Sequence, residues 1–143
     1  MQQKLKKYDE AIVNYENAIF FKNDLAEAFN NKGVALTKVN RLSEAYESIS
    51  KAIELDMTMA EAYSNLGNVL QKMGKIKEAL IEYNKAIELK KDYIEVYRNA
   101  GNALFGVEQY YEAVKSYEIA LSLNPNYKEA HYSKGSALKE LLN

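Results

Sequence analysis

The sequence predicts an all-α solenoid, and three observations carry that expectation. Small residues recur every 34 positions: Gly33, Gly67, Gly101 and Gly135 form one column, Ala11, Ala45, Ala79 and Ala113 a second, and Ala18, Ala52, Ala86 and Ala120 a third. Within each unit the apolar residues return at helical spacing, as in Ala28, Ala35, Leu36 and Val39 and then Ala45, Ile49, Ala52 and Ile53. Turn-forming and cap-forming residues separate the helices in the same register. A period of this length marks a repeat architecture, in which each unit leaves an apolar face for its neighbour to cover.

The elements follow in order. At the start, Gln3-Lys4-Leu5-Lys6-Lys7-Tyr8 aligns with Gln71-Lys72-Met73-Gly74-Lys75-Ile76, which places Met1 in the last turn of a first helix and the remainder in a second. The expected organisation is one solenoid domain over 1–143: a half unit at 1–25, full units at 26–59, 60–93 and 94–127, and a half unit at 128–143. Each full unit supplies two helices, and Lys128 to about Leu142 supplies a first helix with no second after it. This pattern suggests a piece of a longer array, or an incomplete end covered by another copy of the chain.

Before each first helix stands a cap-forming residue with glutamate three positions on: Asp24 with Glu27, Thr58 with Glu61, Asp92 with Glu95, Asn126 with Glu129. These read as four capping boxes, in which side chain and backbone satisfy each other's free donors. Between first and second helices stand Asn40, Gly74 and Glu108; Asn and Gly accept the left-handed backbone that ends a helix, whereas Glu108 fits it poorly. Pro125, the only proline, lies where one helix must stop before the next begins.

The small columns have a mechanical reason. Two helices approach closely only where neither carries a bulky side chain, so Gly33 and Ala45 mark the crossing inside a unit and Ala52 the crossing to the next. Larger columns fill the space around them: Phe29, Tyr63, Tyr97 and His131; Leu36, Leu70, Leu104 and Leu138; Tyr15, Ile49, Tyr83 and Tyr117; Ile19, Ile53, Ile87 and Leu121.

Composition narrows the function. The 143 residues are 48% hydrophobic, enough for one domain to bury a core. Nineteen basic and 20 acidic residues leave a net charge of -1, without the broad positive field that draws a protein to nucleic acid or an anionic membrane. The chain has no cysteine, hence no disulfide, thiolate metal site or cysteine nucleophile. No stretch has signal-peptide character or approaches the roughly 18 uninterrupted apolar residues of a membrane span. The expectation is a cytoplasmic protein with no cofactor and no metal. His131 is the sole histidine and stands in a packing column, and no phosphate loop or Ser-His-acid set occurs, so no enzyme is expected.

These columns resemble the tetratricopeptide repeat family, whose 34-residue helix-turn-helix pattern orders an aromatic, Leu-Gly, Tyr, Ala, an aromatic, Ala and Pro. The unit from Ala60 to Leu89 carries the resemblance best, through Tyr63, Leu66-Gly67, Ala79, Tyr83 and Ala86. Departures are Lys32 and Lys134 before the glycine, and Asn23, Met57 and Lys91 where the family often has proline. The resemblance implies a right-handed superhelix whose first helices line a concave side that binds protein or peptide.

On that concave side the resemblance puts Asn31, Asn65 and Asn99, two residues before each glycine, and Asn68 and Asn102 one residue after it, with Val34, Ser133 and Ser136 in the remaining places. An asparagine amide offers donors and an acceptor together, which suits the main chain of an extended peptide. The run Ala60-Glu-Ala-Tyr-Ser-Asn-Leu-Gly-Asn68 is similar to the asparagine-ladder repeats of O-linked N-acetylglucosamine transferase. The competing reading makes these asparagines solubilising filler.

A carboxylate clamp, the family's other mode, is imitated in its first part by Arg98 and Asn102 but then meets Glu129 and Ser133 where basic groups are required. The glutamate column is explained by helix caps rather than by recruitment of basic ligands. Lys4, Lys6, Lys7, Lys90 and Lys91 read as solvated loop charges, and the tyrosines as packing residues rather than an RNA-stacking surface. Two alternatives accompany the peptide scaffold: a self-assembling module, a homo-oligomer whose uncovered half units pair between chains, and the targeting arm of a larger enzyme.

Overall fold

A computed structural model describes residues 2–21 and 25–143. Among these, eight α-helices and no strands occur: α1 (Gln2–Phe21), α2 (Ala26–Lys38), α3 (Leu42–Leu55), α4 (Ala60–Lys72), α5 (Ile76–Leu89), α6 (Ile94–Gly106), α7 (Tyr110–Leu123) and α8 (Lys128–Leu142). Each helix packs on the next in sequence, so the chain is an all-α solenoid stabilised between neighbours. No described helix is long and apolar enough to cross a membrane.

The hairpin inside each unit closes on the small columns. Ala45, Ala79 and Ala113, and likewise Ala52, Ala86 and Ala120, are fully buried. Opposite them the glycine column admits a large side chain from the second helix. Gly33 receives Ile49, Gly67 receives Tyr83, and Gly101 receives Tyr117. Gly135 departs from its column: a Cβ there would meet nothing within 4 Å, because no described helix follows α8.

The three turns inside the units are one structure repeated. Asn40, Gly74 and Glu108 have φ of 62°, 80° and 63°. Beyond each, Arg41 donates to Leu36, Lys75 to Leu70 and Gln109 to Leu104, all at 2.9 Å. This six-to-one bond with a left-handed residue is the Schellman ending of a helix. Glu108 therefore adopts the conformation its side chain disfavours, since the packing on either side determines the turn.

Three expectations are corrected. The capping boxes do not form: the residues before α4, α6 and α8 are Met59, Tyr93 and Tyr127, and none makes a side-chain cap bond. Thr58 instead gives its N–H and hydroxyl to Asp56 Oδ1, at 3.0 and 2.6 Å, and Asn126 N–H bonds Asn124 Oδ1 at 3.1 Å. The polar residues thus close the loops, leaving the cap position to Met59 and Tyr93, which pack on the core. Glu27, Glu61, Glu95 and Glu129 lie in first turns, where a negative charge suits the helix dipole. Asp24 lies outside the described residues, as does Asn23.

The second correction concerns the start, where α1 runs unbroken through Lys6, the position aligned with Gly74. Lysine resists a left-handed turn and favours helix, and no described helix precedes it to fold against. Third, His131 is exposed rather than packed. Its Nε2 lies 2.7 Å from the Pro125 carbonyl, while Tyr63 and Tyr97 donate to the carbonyls of Met57 and Lys91 at 3.2 and 3.1 Å. In α4, α6 and α8 this column ties the helix to the carbonyl six residues earlier.

Candidate functional site

The curvature of the array identifies its inner face. The first helices touch one another in succession, α2 with α4, α4 with α6 and α6 with α8, whereas no such contact joins α1, α3, α5 and α7. Helices crowd together on the inside of a bend, so α2, α4, α6 and α8 form the concave layer.

A groove of about 510 Å³ opens on that layer, lined by Val34, Thr37 and Lys38 from α2, Asn65, Asn68, Gln71 and Lys72 from α4, and Arg98 and Asn99 from α6. Four of the residues expected from sequence meet here: Asn65, Asn68, Arg98 and Asn99. Asn102 lines a second, smaller cavity with Phe105, Tyr117, Tyr132, Ser133 and Ser136. Asn31 is half-buried and lines neither.

The amides are held in place by one another. Asn65 Nδ2 donates to Asn30 Oδ1 at 3.0 Å, joining α4 to α2, and Asn99 Nδ2 donates to Asn68 Oδ1 at 3.3 Å, joining α6 to α4. Asn68 Oδ1 also lies 2.6 Å from the Tyr83 hydroxyl, whose oxygen is 2.9 Å from Gln71 Oε1. In the next unit Tyr117 donates to Asn102 Oδ1 at 2.7 Å. The tyrosines that fill the glycine crossings therefore orient asparagines of the concave layer from below, Tyr83 in the groove and Tyr117 in the smaller cavity. Burial raises the pKa of both phenols above the ordinary tyrosine value, most strongly for Tyr83, which keeps them protonated donors.

This wiring sets what the groove offers. With Tyr83 and Asn99 on its oxygen, Asn68 presents Nδ2 hydrogens, while Asn65, donating to Asn30, keeps an oxygen free to accept. Arg98 lies with its guanidinium 5.7 Å from the Tyr127 ring centroid, and its Nε is shut from water without a hydrogen-bond partner.

Sequence reasoning missed Asn30, Gln71, Lys38 and Lys72. The latter two had a signal: Asn65, Asn68 and Lys72 follow i, i+3, i+7 spacing, which puts them on one helix face. Asn30, 2% exposed, had none, because its column continues as Ser64, Arg98 and Tyr132.

Comparison with known sequences supports the repeat. Models described as tetratricopeptide repeat match residues 60–93 and 94–127, and one described as TPR repeat matches 4–40 and 35–74. No curated protein matches the chain. Among solved structures, the crystal structure of MamA protein is similar at 26% identity, with 94% of this chain and 73% of that one covered and a TM-score of 0.83. The first TPR of Spaghetti (RPAP3), bound to the HSP90 peptide SRMEEVD, shares 26% identity over 82% of this chain and 94% of its own, with a TM-score of 0.78. The Arabidopsis OM64 TPR domain shares 25% over 80% and 95%, with a TM-score of 0.77.

Proposed function

The chain belongs to the tetratricopeptide repeat family, a protein-interaction architecture, and from that premise we propose that its concave groove holds an extended peptide by the main chain. The observation that carries this reading is the convergence of Asn65, Asn68 and Asn99 from two successive first helices on one open groove. Asn68 supplies N–H donors for peptide carbonyls, and the free oxygen of Asn65 accepts from peptide N–H groups. Such contacts are indifferent to peptide side chains, in the manner of an asparagine ladder. The similar RPAP3 domain, solved with a peptide bound, supports the use of this fold for peptide capture.

The test is affinity for heptapeptides selected by the wild-type protein from a random library. Asn65→Ala with Asn99→Ala is expected to weaken binding about tenfold or more, since each truncation removes hydrogen bonds worth about 1 kcal/mol. Asn30→Ala serves as control: it breaks the same pair as Asn65→Ala from beneath the groove, so it lowers stability without removing a groove contact. Unchanged affinity in the double variant would remove the ladder.

A second reading rests on Gly135. Its three counterparts each receive a side chain from a second helix, but the Gly135 crossing is bare and Leu138, Leu141 and Leu142 of α8 are exposed. Tyr15 of α1 stands in the column of Ile49, Tyr83 and Tyr117, so α1 of a second copy has the side chain this crossing receives elsewhere. Head-to-tail pairing of the 143-residue chain predicts concentration-dependent mass in sedimentation; a monomer at high micromolar concentration removes this reading.

A further inference from the structure

The groove carries three cations, Lys38, Lys72 and Arg98, and no acidic residue. None of the three is in an ion pair among the described residues, where such pairs are confined to Arg41–Glu44, Lys51–Glu54 and Lys85–Glu82. The chain as a whole is slightly acidic, so this positive charge is local. Arg98 is the most telling of them. It is half-buried, it makes no hydrogen bond among the described residues, and its Nε is cut off from water as well. An unpaired buried donor on a charged group is costly, and a ligand acceptor would remove that cost. The Tyr127 ring centroid lies 5.7 Å from the guanidinium carbon, a cation–π contact that favours keeping the cation beside the groove. Asn68, with its oxygen engaged by Tyr83 and Asn99, adds further N–H donors to the same groove.

Resting on the peptide-groove reading, we propose that this groove selects an internal acidic side chain of the bound peptide, with Arg98 as principal partner of the carboxylate and Lys72 and Lys38 as supporting charges. An internal carboxylate fits better than a terminal one because lined surface lies on both sides of α6. Val34 and Thr37 of α2 line the groove on one side, and the cavity of Phe105, Tyr132 and Ser136 lies on the other. A peptide that ended at Arg98 would leave one of these empty.

The experiment is an array of random, N-acetylated heptapeptides, made with free and with amidated C-termini, probed with wild-type protein, Arg98→Gln, Arg98→Lys and Lys72→Gln. Wild type is expected to enrich Asp or Glu at an internal position of amidated peptides. For the best of these, Arg98→Gln lowers affinity by about tenfold to a hundredfold, as for a lost charge-assisted bond. The same variant leaves the Glu→Gln version of that peptide essentially unaffected, which excludes misfolding as the cause. Arg98→Lys recovers part of the loss, as a charge without the planar fork should. Lys72→Gln, at an exposed site, costs about two- to fivefold and flattens the salt dependence. Acidic preference that survives Arg98→Gln, or that requires a free C-terminus, overturns the proposal. Neutral peptides bound as tightly as acidic ones overturn it while leaving the peptide groove standing. A wild-type protein that binds no peptide at all removes both.

Discussion

Tyr83 lies so close to the backbone of Gly67 that a Cβ on that glycine would sit 2.5 Å from the ring's Cε1 and 2.6 Å from Cδ1. The ring is fully buried, and its hydroxyl reaches through the hairpin to Asn68 on the concave side. One residue pair thus links the packing of a unit to the groove it presents. Gly67→Ala must displace that ring, at about 1–3 kcal/mol of stability, as overpacked cores show. Gly135→Ala, in the same column but facing open space, should be neutral or stabilising by up to about 1 kcal/mol through helix propensity. Chemical denaturation of the two variants checks the contrast; equal losses would mean the crossing is not what the glycine serves.

Alkaline pH should expose the buried phenols. Burial raises the pKa of Tyr83, and more weakly those of Tyr93 and Tyr117, in the folded chain. An unfolded tyrosine ionises near pH 10, while the folded ones hold their protons higher. Their contribution to stability is complete below about pH 10 and is lost as pH rises through the folded values. Denaturation midpoints are expected to fall above about pH 10, and Tyr83→Phe to flatten that fall. A midpoint independent of pH to the alkaline limit would contradict the burial.

Glu108 carries a positive φ that Gly74 bears without strain. Glu108→Gly should therefore stabilise the third hairpin by about 1 kcal/mol, and Gly74→Ala should destabilise the second by a similar amount. Thermal melts of the two variants give the signs directly, and a loss on Glu108→Gly would contradict the Schellman ending of α6.

Asn65 is expected to matter for folding as well as binding. Its truncation leaves Asn30, 2% exposed, without its amide partner, a loss of about 1–2 kcal/mol. Asn102→Ala likewise leaves the Tyr117 hydroxyl without its acceptor, with a similar cost. Urea titrations measure both; an Asn65→Ala protein as stable as wild type would show that the pair contributes nothing.

What was legible in the sequence follows from what repeats. Gly67, Ala79, Tyr83 and Ala86 recur because every unit solves the same crossing, so the helices, their order and their buried faces could be read from the columns. The caps were misread because Thr58 and Asn126 fit two local bonding patterns, and the loop partners Asp56 and Asn124 compete with the helix for them. The break expected near Lys6 did not form because lysine favours helix over the left-handed turn that Gly74 adopts at the aligned position. In the site, Asn65, Asn68 and Asn99 were found through repetition. Asn30, Lys38, Lys72 and the partnerless Arg98 Nε were not, because charge and burial there belong to single units and only the folded groove brings them together.

The most direct test of the concave-groove account is backbone amide chemical-shift mapping during titration with the tightest heptapeptide from the array. The account predicts perturbations clustered at Asn65, Asn68, Arg98 and Asn99 on α4 and α6, with α3, α5 and α7 quiet except near Tyr83 and Tyr117. Perturbations concentrated on the outer helices, or on the bare face of α8, would contradict it.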